Sequence, residues 1–102
     1  MPGIDFVALR DQVSIQDVLT LLRFRPTSRR GTTIRGCCPL QCSDDRRAFA
    51  VDIKLNKYYC HRCHRSGNQL DLWCVTQGLS IHPAAKDLCA SLGIPVPETH
   101  RW

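Results

Sequence analysis

Two close pairs of cysteines restrict this chain more than any other feature. Cys60-His61-Arg62-Cys63 places two thiols two residues apart, directly after a predicted strand. That is the spacing of a zinc knuckle: a tight turn aims both thiolates at one metal, and backbone N–H groups in the turn can donate to the sulfurs. Upstream, the run Gly36-Cys37-Cys38-Pro39-Leu40-Gln41-Cys42 offers a second pair, Cys38 and Cys42, with Pro39 stiffening the turn between them. Seventeen residues, 43–59, separate the half-sites and leave room for a two-stranded return. Four thiolates at ~2.3 Å complete a tetrahedral shell. The spacing predicts one structural Zn2+ held by Cys38, Cys42, Cys60 and Cys63.

The remaining cysteines and histidines leave alternatives open. Cys37 could replace Cys38, and His61 or His64 could stand in for another ligand, although exposed histidines on a basic face are the plainer reading. Cys74 and Cys89 fall on apolar helix faces and read as small core residues. Seven cysteines is an odd number, and the N-terminal MPGIDFVALRDQ has no basic-then-apolar block. Both points argue against an exported disulfide framework and for a cytoplasmic, reduced protein. Cys60-His-Arg-Cys63-His64 also matches a haem-attachment pattern. Haem would leave Cys38 and Cys42 idle, and the only methionine is Met1, a poor axial ligand. A thiol redox role for the pair lacks the surrounding βαβ pattern.

Charge is segregated along the chain. Between Arg23 and Arg65 there are eleven Lys/Arg against Asp44, Asp45 and Asp52, whereas the flanks carry three basic and six acidic residues. A basic middle centred on the cysteines suggests a polyanionic partner, nucleic acid above all. No apolar run approaches the ~20 residues of a membrane span.

The chain, residues 1–102, reads as one domain with its ribbon core at about 32–67. Residues 14–22 form a helix: Ser14 is the N-cap, Asp17 takes the capping-box position, and Ile15, Val18, Leu19 and Leu22 make one stripe. Asp5–Arg10 gives a short preceding turn of helix. Residues 25–31, RPTSRRG, read as a polar connection. Strands are expected at Thr32–Cys37, at Ala48–Leu55 with Phe49, Val51, Ile53 and Leu55 alternating, and at Lys57–Cys60. Asn56 suits a turn with positive φ. Gly67 breaks the chain, Asn68 and Asp71 cap a helix bearing Leu70, Trp73, Cys74 and Gln77 on one face, and Gly78 ends it. A last helix opens near Pro83, buries Ala85, Leu88, Cys89 and Leu92, and stops at Gly93. The fold class is α+β, a zinc ribbon of about three antiparallel strands flanked by N- and C-terminal helices.

VSIQDVLTLLRFRP, IRGCCPLQC, FAVDIKLNKYYCHRCHRSGNQLDLW and GLSIHPAAKDLCASLGIP, in that order, resemble the N-terminal zinc-binding domain of bacterial DNA primases. In that family the pattern is Gly-x-Cys-Pro-x-His, a Phe-x-Val strand and Tyr-x-Cys-x-x-Cys. Here the histidine position falls on Gln41, a poor ligand, and Cys42 is its natural replacement. The resemblance implies binding of single-stranded DNA, with no catalysis, because the primase polymerase and helicase-binding domains have no counterpart in these residues. Arg35, Arg47, Lys54, Lys57, Tyr58, Arg62 and Arg65 are the expected nucleic-acid contacts, with one of Tyr58 and Tyr59 packed inward. A separate polymerase, helicase or mobile-element protein is the partner such a domain implies. The competing reading is a zinc-stabilised adaptor that docks proteins through Trp73, Leu79 or Trp102.

Overall fold

The chain opens with two helices of about two turns each, and both obey local capping rules. In a computed structural model describing residues 3–40, 42 and 44–98, α1 spans Phe6–Gln12, and the Asp5 side chain accepts from Ala8 N–H at its start. Helix α2 spans Ile15–Leu21 and begins in the expected reciprocal box between Ser14 and Asp17. Such boxes satisfy N–H groups that the first turn cannot pair. Ile15, Val18 and Leu19 point into the core.

Five strands follow as an antiparallel meander in the order β1-β2-β3-β4-β5: β1 Pro26–Arg30, β2 Thr33–Gly36, β3 Phe49–Asp52, β4 Lys57–Cys60 and β5 Ser66–Asn68. Two of these depart from expectation. The polar segment 25–31 is a fully exposed edge strand rather than a connection. Its pairing partner and not burial makes it a strand, and a two-residue turn with Gly31 at φ 60° returns it onto β2. Gly67 does not break the chain either; it pairs with Tyr58 inside β5. A Cβ at position 67 would lie 2.6 Å from Asp71 Cβ, so only glycine lets the helix cap close over this strand.

Helix α3, Gln69–Gln77, starts in a box between Asn68 and Asp71 and ends at Gly78 in the left-handed region. It buries Gln69, Leu70, Leu72 and Trp73, while Gln77 is exposed and Cys74 half-buried. The expected single apolar face is widened because α3 is wedged between the sheet, α2 and α4. Helix α4, Ile81–Leu92, buries Ala84, Ala85, Leu88 and Cys89, with Leu92 half-buried, and ends at Gly93. Trp73 Nε1–H donates to Asp87 at 2.8 Å and ties the last two helices together.

One continuous apolar cluster joins these helices to the inner face of the sheet. Phe24, Phe49 and Tyr58 form an aromatic run there, with centroids 5.5 and 5.6 Å apart. Two amides fasten the N-terminal helices from a distance. Gln69, 3% exposed, donates to the carbonyls of Arg10 and Val13. Asn56 takes the expected positive φ in the β3–β4 turn, and its Oδ1 also accepts from Ile15 N–H. Amides so paired, Gln69 buried and Asn56 half-buried, stabilise by about 1 kcal/mol each.

Gly67→Ala is expected to lower the unfolding free energy of zinc-loaded protein by about 1–3 kcal/mol in a urea titration, through displacement of the Asp71 cap. An unchanged midpoint would show that the cap does not depend on that close approach.

Candidate metal centre and the basic face beside it

The two cysteine pairs meet where β2 and β4 end and β3 begins. Cys38 lies two residues beyond β2 and is buried; Cys42 follows on an exposed loop. Cys60 closes β4 on its buried side, opposite Phe49. After it the chain turns tightly. Cys60 N–H donates to the Arg65 carbonyl, the Cys60 carbonyl accepts from His64 N–H, and His64 takes φ 61°. This turn carries Cys63 back beside Cys60.

The four Sγ atoms lie within 4.8 Å of one another, and those of Cys42 and Cys60 are 3.5 Å apart. Sulfurs at ~2.3 Å from one ion in a tetrahedron would sit ~3.8 Å from each other, so the quartet matches a zinc shell. Burial, helped by the neighbouring Cys42 and Cys60 thiols, pushes the Cys38 thiol up to about 12 despite donation from Leu40 N–H. Burial also raises Cys42. Burial opposes ionisation of Cys60 too, but donation from the N–H groups of Cys63 and Arg62 outweighs it and brings that thiol down to about 7. A dication among these sulfurs reverses the balance and holds them all as thiolates.

The geometry separates the ligands from their competitors. Cys37, next to Cys38, is exposed and outside the quartet. His61 and His64 are exposed and face Tyr59 instead, whose hydroxyl lies 2.9 Å from His64 Nδ1. Cys89 is fully buried in the core, as expected. Gln41 lies outside the described residues.

Sequence and structure are matched by known proteins. Residues 4–101 match the CHC2 zinc finger family, the zinc ribbon of DnaG-type primases. The chain belongs to that family. Its fold is similar to that of a crystal structure of the Aquifex aeolicus primase comprising zinc-binding and RNA polymerase domains, with a TM-score of 0.73 and 22% identity. The similarity covers 97% of this chain and 23% of that one, so the chain spans about a quarter of its structural relative. Among curated proteins no sequence matches it. In this CHC2 zinc finger a fourth cysteine, Cys42, completes the zinc-binding site.

The expected nucleic-acid residues are distributed unevenly. On the outward face of the sheet, Arg35, Ala50, Tyr59 and Ser66 make one cross-strand row, and Thr33, Asp52, Lys57 and Asn68 make the next. Lys54 lies in the β3–β4 turn and Arg47 in the turn before β3. Arg65 is exposed after the knuckle, and Arg62 is held by Asp45 at 3.2 Å. Tyr58 is a correction. It is 5% exposed, and burial pushes its phenol up to about 12, so its ring cannot meet a base. Tyr59, 38% exposed, takes the outward place. Strand parity carried that signal: Cys60 must point to the metal on the inner side, which turns Tyr58 inward and Tyr59 outward. Trp73 is likewise buried, and Trp102 lies outside the described residues, so of the adaptor surface only Leu79 is seen exposed. No helix among the described residues is long and apolar enough to cross a membrane.

Adding zinc to metal-free protein at pH 7 is expected to release roughly three to four protons per ion, because thiols are ordinarily protonated at neutral pH, Cys38 and Cys42 are raised further, and Cys60, at about 7, starts half ionised. Apparent zinc affinity then falls with acid, by about tenfold per pH unit for each proton displaced. Competition titrations with a zinc chelator between pH 6 and 8 read this slope; a flat profile would exclude thiols as the ligands.

Proposed function

We propose that this chain binds single-stranded DNA across the outward face of its sheet. Membership of a primase zinc-finger family favours a nucleic-acid role, and the basic middle of the chain supplies the charge. One observation carries the reading: Ala50 sits between Arg35 and Tyr59 in a single cross-strand row. A small residue between a cation and an exposed ring leaves a shallow notch. A base can stack on Tyr59 while Arg35 and Lys57 meet the flanking phosphates. The ring is held in position by its hydroxyl contact with His64 and by the edge of His61, 4.8 Å away. Pre-set aromatic rings lose little freedom on binding.

In this reading the metal is structural. Four thiolates fill a tetrahedral shell and leave no position for a water molecule. What the cysteines contribute is a fixed end to β4, and thereby the parity that exposes Tyr59. The chain then acts without catalysis of its own, in the cytosol, and polymerisation is the task of a separate polymerase. A helicase or a mobile-element protein is the other partner this placement suits.

Fluorescence anisotropy with a labelled single-stranded oligonucleotide tests the proposal. Affinity should fall steeply with salt, by a log–log slope of about −0.7 per phosphate contacted. Tyr59→Ala should cost about 1–3 kcal/mol with little change in that slope, whereas Lys57→Glu should weaken binding and flatten it. Micromolar protein that binds no oligonucleotide at low salt would overturn the reading.

A further inference from the structure

We propose that the cleft at the β1 edge of the sheet is a binding site for an oligophosphate group, carried by a free nucleoside triphosphate or by the 5′-triphosphate end of a strand. The cleft has a volume of about 560 Å³ and is lined by Ser28, Arg29, Arg30, Thr33, Arg35 and Arg47. Register puts Ser28, Arg30, Thr33 and Arg35 on the outward face, where Arg47 joins them, so three guanidinium-bearing residues and two hydroxyl-bearing ones line one side of the cleft; Arg29 pairs with the buried Ile34 and lines it from the edge strand's other face. The carboxylate beside Arg47 is Asp45, whose Oδ1 accepts from Arg47 N–H and whose Oδ2 pairs with Arg62 at 3.2 Å.

The backbone is shaped to make this cleft. Between Pro26 and Ser28 the β1–β2 register shifts by a bulge, so that Thr27 is an extra residue on the edge strand. Bulges re-aim side chains and are frequent beside binding sites. Here the Thr27 hydroxyl donates to the Arg46 carbonyl at 2.6 Å and to the Arg35 carbonyl at 3.3 Å. That contact fastens the loop before β3 against the edge strand and brings Arg47 to the cleft. One guanidinium is itself anchored: Arg35 donates to the Arg47 carbonyl. It keeps further N–H groups for a ligand, since a guanidinium carries five.

Charge matching selects the ligand class. A phosphodiester brings one negative charge and would leave most of the charge of Arg30, Arg35 and Arg47 uncompensated. A triphosphate carries about four charges, with a terminal group of up to about −2, and offers several oxygens to planar guanidinium forks. The cleft shares Arg35 with the single-strand site, whereas Arg30 on the edge strand belongs to the cleft alone, so variants at Arg30 and at Tyr59 separate the two readings.

The test is calorimetric titration of zinc-loaded protein with inorganic tripolyphosphate and with orthophosphate at matched ionic strength. Tripolyphosphate should bind about tenfold more tightly or better. The double variant Arg30→Gln, Arg47→Gln should abolish that preference with zinc content and thermal midpoint unchanged, both residues being exposed. Tyr59→Ala should leave the preference intact. ATP, and a short RNA bearing either a 5′-triphosphate or a 5′-hydroxyl, then distinguish the two carriers. Equal binding of the two inorganic anions, or a preference that survives in the double variant, would overturn the proposal.

Discussion

Four sulfurs drawn around one dication fix the rest of this structure. They join two segments far apart in sequence, the loop after β2 and the knuckle after β4. A chain of 102 residues has a modest core, and its sheet buries one face only. Metal binding in comparable sites is worth about 10 kcal/mol or more at neutral pH, and that energy is folding energy. The thiols themselves resist the arrangement: burial holds Cys38 and Cys42 protonated, helped at Cys38 by the Cys42 and Cys60 thiols and at Cys42 by the Cys60 thiol. Only a cation makes the cluster stable as thiolates.

From that constraint the two faces of the sheet follow. Cys60 must turn inward to reach the metal, so every second residue on β4 and its partners turns inward with it. Ile34, Val51 and Tyr58 meet the helices. Arg35, Ala50 and Tyr59 are left on the other side. The helices complete the inner face through Gln69 and Asn56, whose amides hold the N-terminal segment in place. The functional surface is thus the face that the metal and the core do not use.

Much of this was legible in the sequence because it is local. Cysteine spacing, the Ser14–Asp17 and Asn68–Asp71 boxes and the turn at Asn56 are set by neighbours a few residues away, and each lies where those rules put it. What escaped depends on partners far along the chain. The exposed edge strand β1 has no apolar alternation, and its one signal was Gly31 opening a two-residue turn. Gly67 looked like a breaker because the approach of Asp71 cannot be read from spacing alone. Tyr58 was placed outward although parity with Cys60 argued the reverse. The arginines at the bulged edge were visible only as charge, since Thr27 gathers them through contacts eight and nineteen residues away.

X-ray absorption at the zinc edge tests the central claim most directly. The account predicts one zinc per chain with four sulfur neighbours at ~2.3 Å, and three in Cys42→Ala. A mixed shell with nitrogen at ~2.0–2.1 Å in the unaltered protein would contradict it and move the fourth ligand to a histidine.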